Sequence, residues 1–416
     1  MIRIWFKRYF NLPCLVFFIL AMVFLVRLYS LFTTPLTYTE WGVSEWMINY
    51  AGGFVRRGLS GQVLWFLYNI HPFNLLMGIR MIIFLSSILI LILVIRVFWK
   101  EKLSLLLLPI GCFFNFTLFS TNARKDFLLL LFAYVLFYSF HKLITKSTSW
   151  RWGLVFLLSS VIMLLIHEAS FFFTFPFLAL FGWYYWDKKD KNILYRILYF
   201  IPCVVVFIMV IKYKGDSIMA QKIWNSWASS INSYPDNGGQ EVSQIGLGVA
   251  ALGWNAIETF KNHLSWSYLG IPPSLLKTPF VFLNLFSLYY LVTRVNTANP
   301  RFWKLGQVDT IALSNILIVQ FIFLLPMYTI LSCDWGRTLP YMVITTFFLY
   351  HIFKNIEIVP IVRFSEIIQK KIDDIRLLNS SYFYIFILIF TPFSAYHAPS
   401  LENELLYRML HLVGIG

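Results

Sequence analysis

Charged side chains are scarce in this sequence. Asp, Glu, Lys and Arg make up 13% of its 416 residues, whereas hydrophobic residues make up 59%. A soluble globular domain carries roughly 25% charged residues. The composition therefore excludes an ordinary soluble domain. The repeated apolar runs of membrane-spanning length predict a polytopic membrane protein instead.

Motifs that carry several common chemistries are also missing. The four cysteines, Cys14, Cys112, Cys203 and Cys333, form no CxxC pair, which argues against a disulfide framework or a zinc site. The sequence has no HExxH, Walker A or GxSxG motif. A zinc protease, a P-loop nucleotide hydrolase and a serine hydrolase are therefore disfavoured. We predict no metal and no cofactor.

Apolar segments predict an all-α protein of about eleven transmembrane helices. The first has a basic start, but it is too long for the apolar region of a signal peptide and no small-x-small cleavage site follows it, so we interpret it as a retained helix. The segments lie at 11–32, 75–98, 103–121, 126–144, 152–167, 168–186, 194–212, 274–293, 309–331, 338–354 and 381–397.

The distribution of basic residues predicts the orientation. Cytoplasmic loops of membrane proteins are enriched in Lys and Arg, which also explains the net charge of +15 without a nucleic-acid partner. An N-terminus in the cytoplasm and a C-terminus in the periplasm place 21 of the 34 basic residues in six inner stretches. Those stretches are 1–10, 96–102, 141–151, 187–196, 294–304 and 354–376.

This orientation predicts one transmembrane domain, 1–416, with two long outer loops at about 33–74 and 213–273. The inner segment 354–376 alternates apolar and charged residues, as an amphipathic interfacial helix does.

Two adjacent arginines, Arg56 and Arg57, lie in the first outer loop, in "GGFVRRGLSG". Glycines allow the backbone to turn sharply and to approach a ligand closely. Arginine forms bidentate, charge-assisted contacts with phosphate oxygens. The pattern favours a diphosphate-binding loop, although the pair could instead bind anionic lipid headgroups.

Four other polar clusters fall on the same predicted face. Ionisable residues at membrane depth are costly and usually line a cavity or a site. Three of these clusters also have a structural interpretation: a neutralised turn for "ARKD", a buried hydrogen bond for "HE", and a local salt bridge for "DWGR". The clusters contain Glu40 and Glu45; Arg124, Lys125 and Asp126; His167 and Glu168; and Asp334 and Arg337.

The second outer loop is rich in tryptophan. Its indole rings either stack on sugar rings or anchor the loop at the membrane surface. The residues concerned are Trp224, Trp227, Trp254 and Trp266.

This layout resembles bacterial envelope enzymes that act on undecaprenyl-linked sugars. One branch is the Wzy-type polymerases of O-antigen and capsule repeat units, which have similar helix numbers, a large periplasmic loop and periplasmic arginines. The other is the GT-C glycosyltransferases, which carry a catalytic carboxylate in the first outer loop. Here "TEWGVSEW" stands at that position without the acidic pair or Asp typical of the GT-C family.

The resemblance implies a multi-pass enzyme of the bacterial inner membrane that polymerises undecaprenyl-diphosphate-linked glycan. Its partners would be that substrate, the bilayer and a chain-length regulator protein. The residues implied as catalytic are Glu40, Glu168, His167 and Asp334. Those implied to bind the diphosphate are Arg56, Arg57, Arg124, Lys125 and Arg337, with Glu45 and Asp126 in support.

Three alternatives stay open at this point. A GT-C transferase would use an undecaprenyl-phosphate sugar as donor. A flippase would need charges along a path through both leaflets, whereas the clusters here gather at one face, and no internal repeat is visible. A non-catalytic assembly factor would tolerate substitution of every carboxylate.

Overall fold

The computed structural model describes most of the chain as helices. All of the elements in the described residues are α-helical, which confirms the predicted all-α class. The described residues are 12–103, 107, 123–145, 150–186, 198–234, 244–254, 258, 261, 282, 285–293, 310–327, 335–354, 359–375 and 383.

The helices follow the predicted apolar segments, with additional short helices in the predicted outer loops. They are α1 Leu12–Thr33, α2 Trp41–Trp46, α3 Gly58–Ile70, α4 Leu75–Glu101, α5 Asp126–Thr145, α6 Trp150–Ile166, α7 Ser170–Trp186, α8 Phe200–Lys212, α9 Ser217–Asn225, α10 Ala228–Ser233, α11 Leu247–Ala250, α12 Thr310–Pro326, α13 Trp335–Phe353 and α14 Val359–Asp374.

Two helices, α4 and α5, are long and apolar enough to cross a membrane by length and composition. Shorter apolar helices occur in α1, α6, α7, α8, α12 and α13. The predicted segments 103–121 and 381–397 fall almost entirely outside the described residues. The number of eleven spans and their orientation therefore stay predictions.

The chain divides into two compact units. The first contains residues 1–26, 92–118 and 260–416, and the second contains residues 27–91 and 119–259. The divisions fall inside α1 and inside α4.

In the first unit, α12 packs against α13 and α14. Polar side chains also bond these helices to Tyr289 and to Glu101 at the end of α4. The Tyr289 hydroxyl lies 2.9 Å from the Ser365 hydroxyl, which lies 2.9 Å from that of Ser314. Glu101 receives hydrogen bonds of 2.6 Å from Lys354 and 2.6 Å from His351. Since buried polar groups need partners, these bonds fix how the helices pack.

In the second unit, α5, α6, α7 and α8 pack together. The buried residues of α5 recur at helical spacing, which gives one apolar face. Phe140 from that face contacts both Phe156 of α6 and Phe200 of α8, with ring centroids 5.5 Å and 5.6 Å away. The buried Ser159 and Ser160 donate to carbonyls one turn back in α6. Such bonds satisfy hydroxyls where no water is present.

The described loop segments 34–74, 213–234 and 244–254 bond to one another in the same unit, and we call them the loop layer. The Leu247 amide donates to the Thr39 carbonyl at 3.0 Å, and the Gly248 amide donates to the Ser44 hydroxyl at 2.8 Å. Trp227 donates through Nε1 to the Met47 carbonyl at 2.7 Å. These bonds join α2 to α10 and α11, so the two loops form one structure.

A close backbone approach holds α3 in this layer. A Cβ atom at Gly61 would lie 2.0 Å from the carbonyl oxygen of Ile48. Only glycine leaves room for that contact. The approach fixes where α3 begins, and therefore where the residues just before it lie.

Candidate functional site

The two arginines stand at the start of α3, in an unusual backbone conformation. Arg57 caps the helix with φ 62° and ψ 9°, which is the left-handed region. A side chain with a Cβ costs about 1–2 kcal/mol there. Something must hold Arg57 in this position, and its side-chain contacts provide that force.

The guanidinium of Arg57 binds two carboxylates. Its Nε donates to Glu168 Oε2 at 2.8 Å, and its Nη2 donates to Glu168 Oε1 at 2.6 Å. Its Nη1 donates to Glu45 Oε1 at 2.9 Å. The first pair is the bidentate fork that makes arginine–carboxylate contacts strong. Three separated pieces of the chain therefore meet at one side chain.

Arg56 lies beside this pair and is less completely satisfied. Its Nη1 is 3.6 Å from Glu168 Oε1, and its Nη2 donates to the Ala251 carbonyl at 3.2 Å. Its backbone amide donates to the Tyr213 carbonyl at 3.0 Å. Its Nε is buried and has no hydrogen-bond partner among the described residues. We call Glu45, Arg56, Arg57 and Glu168 the arginine cluster.

The charged groups in the cluster shift one another's pKa values. Desolvation alone would raise the pKa of Glu168, but the opposing charges, Arg57 foremost, hold that pKa well below its ordinary value. Desolvation lowers the pKa of Arg56, and the neighbouring charge of Arg57 lowers it further, against the attraction of Glu168. Glu168 is thus a carboxylate across the physiological range, and Arg56 is a cation beside a second cation.

Glu45 is the most deeply placed member of the cluster. Its side chain is 1% exposed. Trp41, one helical turn earlier in the chain, donates through Nε1 to Glu45 Oε1 at 2.9 Å. The Nη1 atom of Arg124 lies 3.7 Å from Glu45 Oε2. Through these contacts Glu45 links Arg57 to the chain just before α5.

Lys125 bonds to the backbone of the turn that carries Arg57. Its buried ammonium donates to the carbonyl of Arg57 at 3.4 Å and lies 5.6 Å from the centroid of the Trp46 ring. Trp46 in turn donates to the Ala123 carbonyl at 2.7 Å. Asp126 is buried in the first turn of α5, where a negative charge interacts well with the helix dipole.

His167 has a local role in the turn between α6 and α7. Its Nδ1 accepts a hydrogen bond of 3.2 Å from the Ala169 amide, so this nitrogen carries no proton in that arrangement. The same atom lies 3.8 Å from Glu168 Oε2. The ring therefore helps to shape the turn that presents Glu168.

Three predicted residues remain: Glu40, Asp334 and Arg337. Glu40 accepts from the amide and the hydroxyl of Thr37, at 3.2 Å and 3.4 Å, where it begins α2. Asp334 lies outside the described residues. Arg337 lies in the first turn of α13, and its side chain is likewise outside the described part. Both belong to the first unit, whereas the arginine cluster belongs to the second.

Besides the Tyr213 carbonyl, which accepts from the Arg56 amide, sequence reasoning missed two partners of the cluster. One is Trp41, whose four-residue spacing from Glu45 on a helix is a signal that could have been used. The other is the Ala251 carbonyl, 195 residues from Arg56, for which the sequence carries no signal.

Comparison of the chain with protein-family models, curated proteins and solved structures gives no match. In the described part of the chain, no group of three His, Cys, Asp or Glu residues is placed to hold a metal ion. Among the described residues, the arginine cluster is the feature that points to a function.

Proposed function

We propose that this chain is a multi-pass glycosyltransferase of the bacterial inner membrane. It joins undecaprenyl-diphosphate-linked oligosaccharide repeat units at the periplasmic face. The observation that carries the proposal is the arginine cluster: two adjacent guanidinium groups meet two carboxylates at the turn before α3. Arg56 lies beside a second cation, and its buried Nε has no hydrogen-bond partner among the described residues; a bound anion would offset both costs.

The membrane assignment rests on the helices. With 27 residues, α4 is about 40 Å long and exceeds a hydrocarbon core of about 30 Å. Exposed apolar side chains recur every fourth residue on α4, which gives a continuous stripe suited to lipid. They are Met77, Met81, Leu85 and Leu89.

The predicted orientation agrees with how the second unit is built. The start of α5, the turn between α6 and α7, and the end of α8 each contact Arg56 or Arg57. The topology with the N-terminus in the cytoplasm places these three points on the periplasmic side. We therefore propose that the loop layer faces the periplasm, where lipid-linked repeat units are joined.

In the proposed reaction, an acceptor hydroxyl oxygen bonds to the anomeric carbon of the donor sugar. The bond between that carbon and the diphosphate oxygen breaks, and its electron pair stays on the diphosphate. Arg56 and Arg57 stabilise the charge that develops there. The hydroxyl proton passes to Glu168 as general base.

Diphosphate binding would also prepare Glu168 for this role. While Arg57 holds it, Glu168 is a weak base, because its pKa is well below the ordinary value. Phosphate oxygens compete for the same guanidinium fork. When they take that edge of Arg57, Glu168 loses its strongest opposing charge and its pKa rises. The base then becomes active only beside a bound donor, while Glu45 keeps Arg57 in place.

Arg56→Ala tests the proposal in a strain that lacks the chromosomal copy. Arg56 is the best choice, because Arg57 also holds the fold together. We expect the variant to leave single repeat units in the periplasm and no long glycan, as seen on a gel of lipid-linked or surface glycan. Lys222→Ala, which removes an exposed cation from α9, is the matched control and should give normal glycan.

Two results would contradict the proposal. Long glycan of normal length in the Arg56→Ala strain, with the protein present in the membrane, would exclude a role in polymerisation. Repeat units retained at the cytoplasmic face would indicate a flippase instead.

A further inference from the structure

We infer that Trp254, packed against Trp41, is the stacking surface for a sugar ring next to the diphosphate of the lipid-linked glycan. This inference rests on the proposed function and names the part of the substrate that this side of the site binds.

The described tryptophans of the second loop differ in exposure, and Trp266 lies outside the described residues. Trp224 and Trp227 are 1% and 0% exposed, so they pack the loop layer and are closed to any ligand. Trp254 is 37% exposed. Its ring centroid lies 6.0 Å from that of Trp41, with the two planes at 54°. Of these three rings, Trp254 is the one that a sugar can reach.

Trp254 is tied directly to the arginine cluster. The Ala251 carbonyl accepts one hydrogen bond from Arg56 Nη2 at 3.2 Å and another from the Trp254 amide at 3.3 Å. One peptide oxygen thus positions both the cation and the indole. A second connection runs through Trp41, which donates to Glu45, the carboxylate that binds Arg57.

The turn that carries Trp254 is fixed rather than free. Gly253 has φ 99°, a conformation that favours glycine. Its amide donates to the Lys214 carbonyl at 3.2 Å. The amides of Gly253 and Trp254 are both hydrogen-bonded, and an exposed indole on such a backbone loses less conformational entropy on binding, which favours recognition.

The chemistry of the two groups suits a lipid-linked sugar. A pyranose ring presents C–H groups on its faces and hydroxyls at its edge. An indole face is apolar and carries the negative side of the ring quadrupole, so it attracts those C–H groups. In the substrate, a sugar ring is bonded to the diphosphate. In the same way, the aromatic face of Trp254 lies next to Arg56, so the indole would contact the sugar while the guanidinium contacts the diphosphate.

Three substitutions separate sugar stacking from membrane anchoring. Purified full-length protein would be assayed with the lipid-linked single repeat unit extracted from the deletion strain. We expect Trp254→Phe to stay within about threefold of wild type, and Trp254→Leu and Trp254→Ala to need about tenfold more substrate for half-maximal rate. Trp150→Leu, at an exposed tryptophan on α6, is the control and should have no effect. If Trp254→Leu behaves as wild type, an apolar anchor suffices and the inference is wrong.

A second measurement keeps this inference separate from the proposed reaction. The water-soluble repeat-unit oligosaccharide, released from the lipid by mild acid, would be tested by saturation-transfer NMR with wild type and Trp254→Leu. A signal that the substitution removes supports the sugar site even if the protein polymerises nothing. A signal that survives unchanged in Trp254→Leu, or no signal with wild type, overturns it.

Discussion

Arg57 binds both oxygens of Glu168, a residue 111 positions later in the chain, with contacts of 2.6 Å and 2.8 Å. The backbone of Arg57 is left-handed at the same time. The ion pair therefore does two things: it closes the α6–α7 turn onto the loop layer, and it holds a residue in a conformation that its own Cβ opposes.

Arg57→Ala should destabilise the protein strongly. It leaves Glu45 and Glu168 without their main opposing charge and keeps the strained backbone. Breaking a buried ion pair costs about 3–5 kcal/mol. Because Glu168 is 18% exposed, we expect about 2–4 kcal/mol after allowing for solvent screening. Thermal unfolding of the detergent-solubilised protein measures this change, with Lys222→Ala as the unaffected control.

Arg57→Gly separates the contribution of the ion pair from that of the left-handed backbone. It loses the same ion pair but relieves the left-handed backbone, so we expect it to be about 1 kcal/mol more stable than Arg57→Ala. Equal stability of the two variants would show that the backbone at Arg57 carries no strain.

The stability that Glu168 contributes should depend on pH in a defined direction. The pKa of Glu168 is lowered in the folded protein, so the ionised form is favoured by folding. The contribution is complete above the unfolded-state pKa of about 4.3. It decreases below that value and is lost once the pH falls through the lowered folded pKa.

Wild type and Glu168→Gln should therefore differ by a constant amount from about pH 8 to pH 5 and converge in stronger acid. Unfolding midpoints of both proteins, measured in one detergent across this range, test the expectation. A difference that disappears already near pH 6 would mean that Arg57 does not lower the pKa of Glu168.

Gly61→Ala should disrupt the loop layer. The added methyl group would lie 2.0 Å from the Ile48 carbonyl oxygen and 2.7 Å from that of Trp46, and both of these oxygens are backbone atoms. We expect a loss of about 1–3 kcal/mol or more, because the chain must shift. Gly78→Ala is the matched control, since its methyl group would meet only the Phe73 ring, which can rotate away. Gly78 lies in α4, where alanine also favours the helix. Similar losses of stability in Gly61→Ala and Gly78→Ala would contradict a special role for Gly61.

The sequence predicted the helices well because long apolar runs determine them locally. It also placed Arg56, Arg57, Glu45 and Glu168 on one predicted face, and the structure brings these four together in space. The number of Lys and Arg residues in each loop predicts at which end of the helices that loop lies, so the turns at one end can be grouped from the sequence.

The finer arrangement needed tertiary contacts. Glu40 and Glu45 are five residues apart in similar surroundings, and the sequence favoured Glu40 as catalytic. In the structure Glu45 contacts Arg57, because α2 directs it towards α3, while Glu40 bonds to Thr37. The tryptophans posed a similar difficulty. Trp224 and Trp227 are buried and Trp254 is not, and that outcome depends on how one loop packs on another.

The long separations in this site also set the order in which it can form during synthesis. Glu45 and Arg57 are 12 residues apart and leave the ribosome almost together. Glu168 follows Arg57 by 111 residues and Ala251 follows Arg56 by 195 residues. At about 5–20 residues per second, Arg57 waits roughly 6–20 s for its second carboxylate. The nascent chain therefore carries an incomplete, charged turn while a further 195 residues are made, slightly under half of the 416-residue chain.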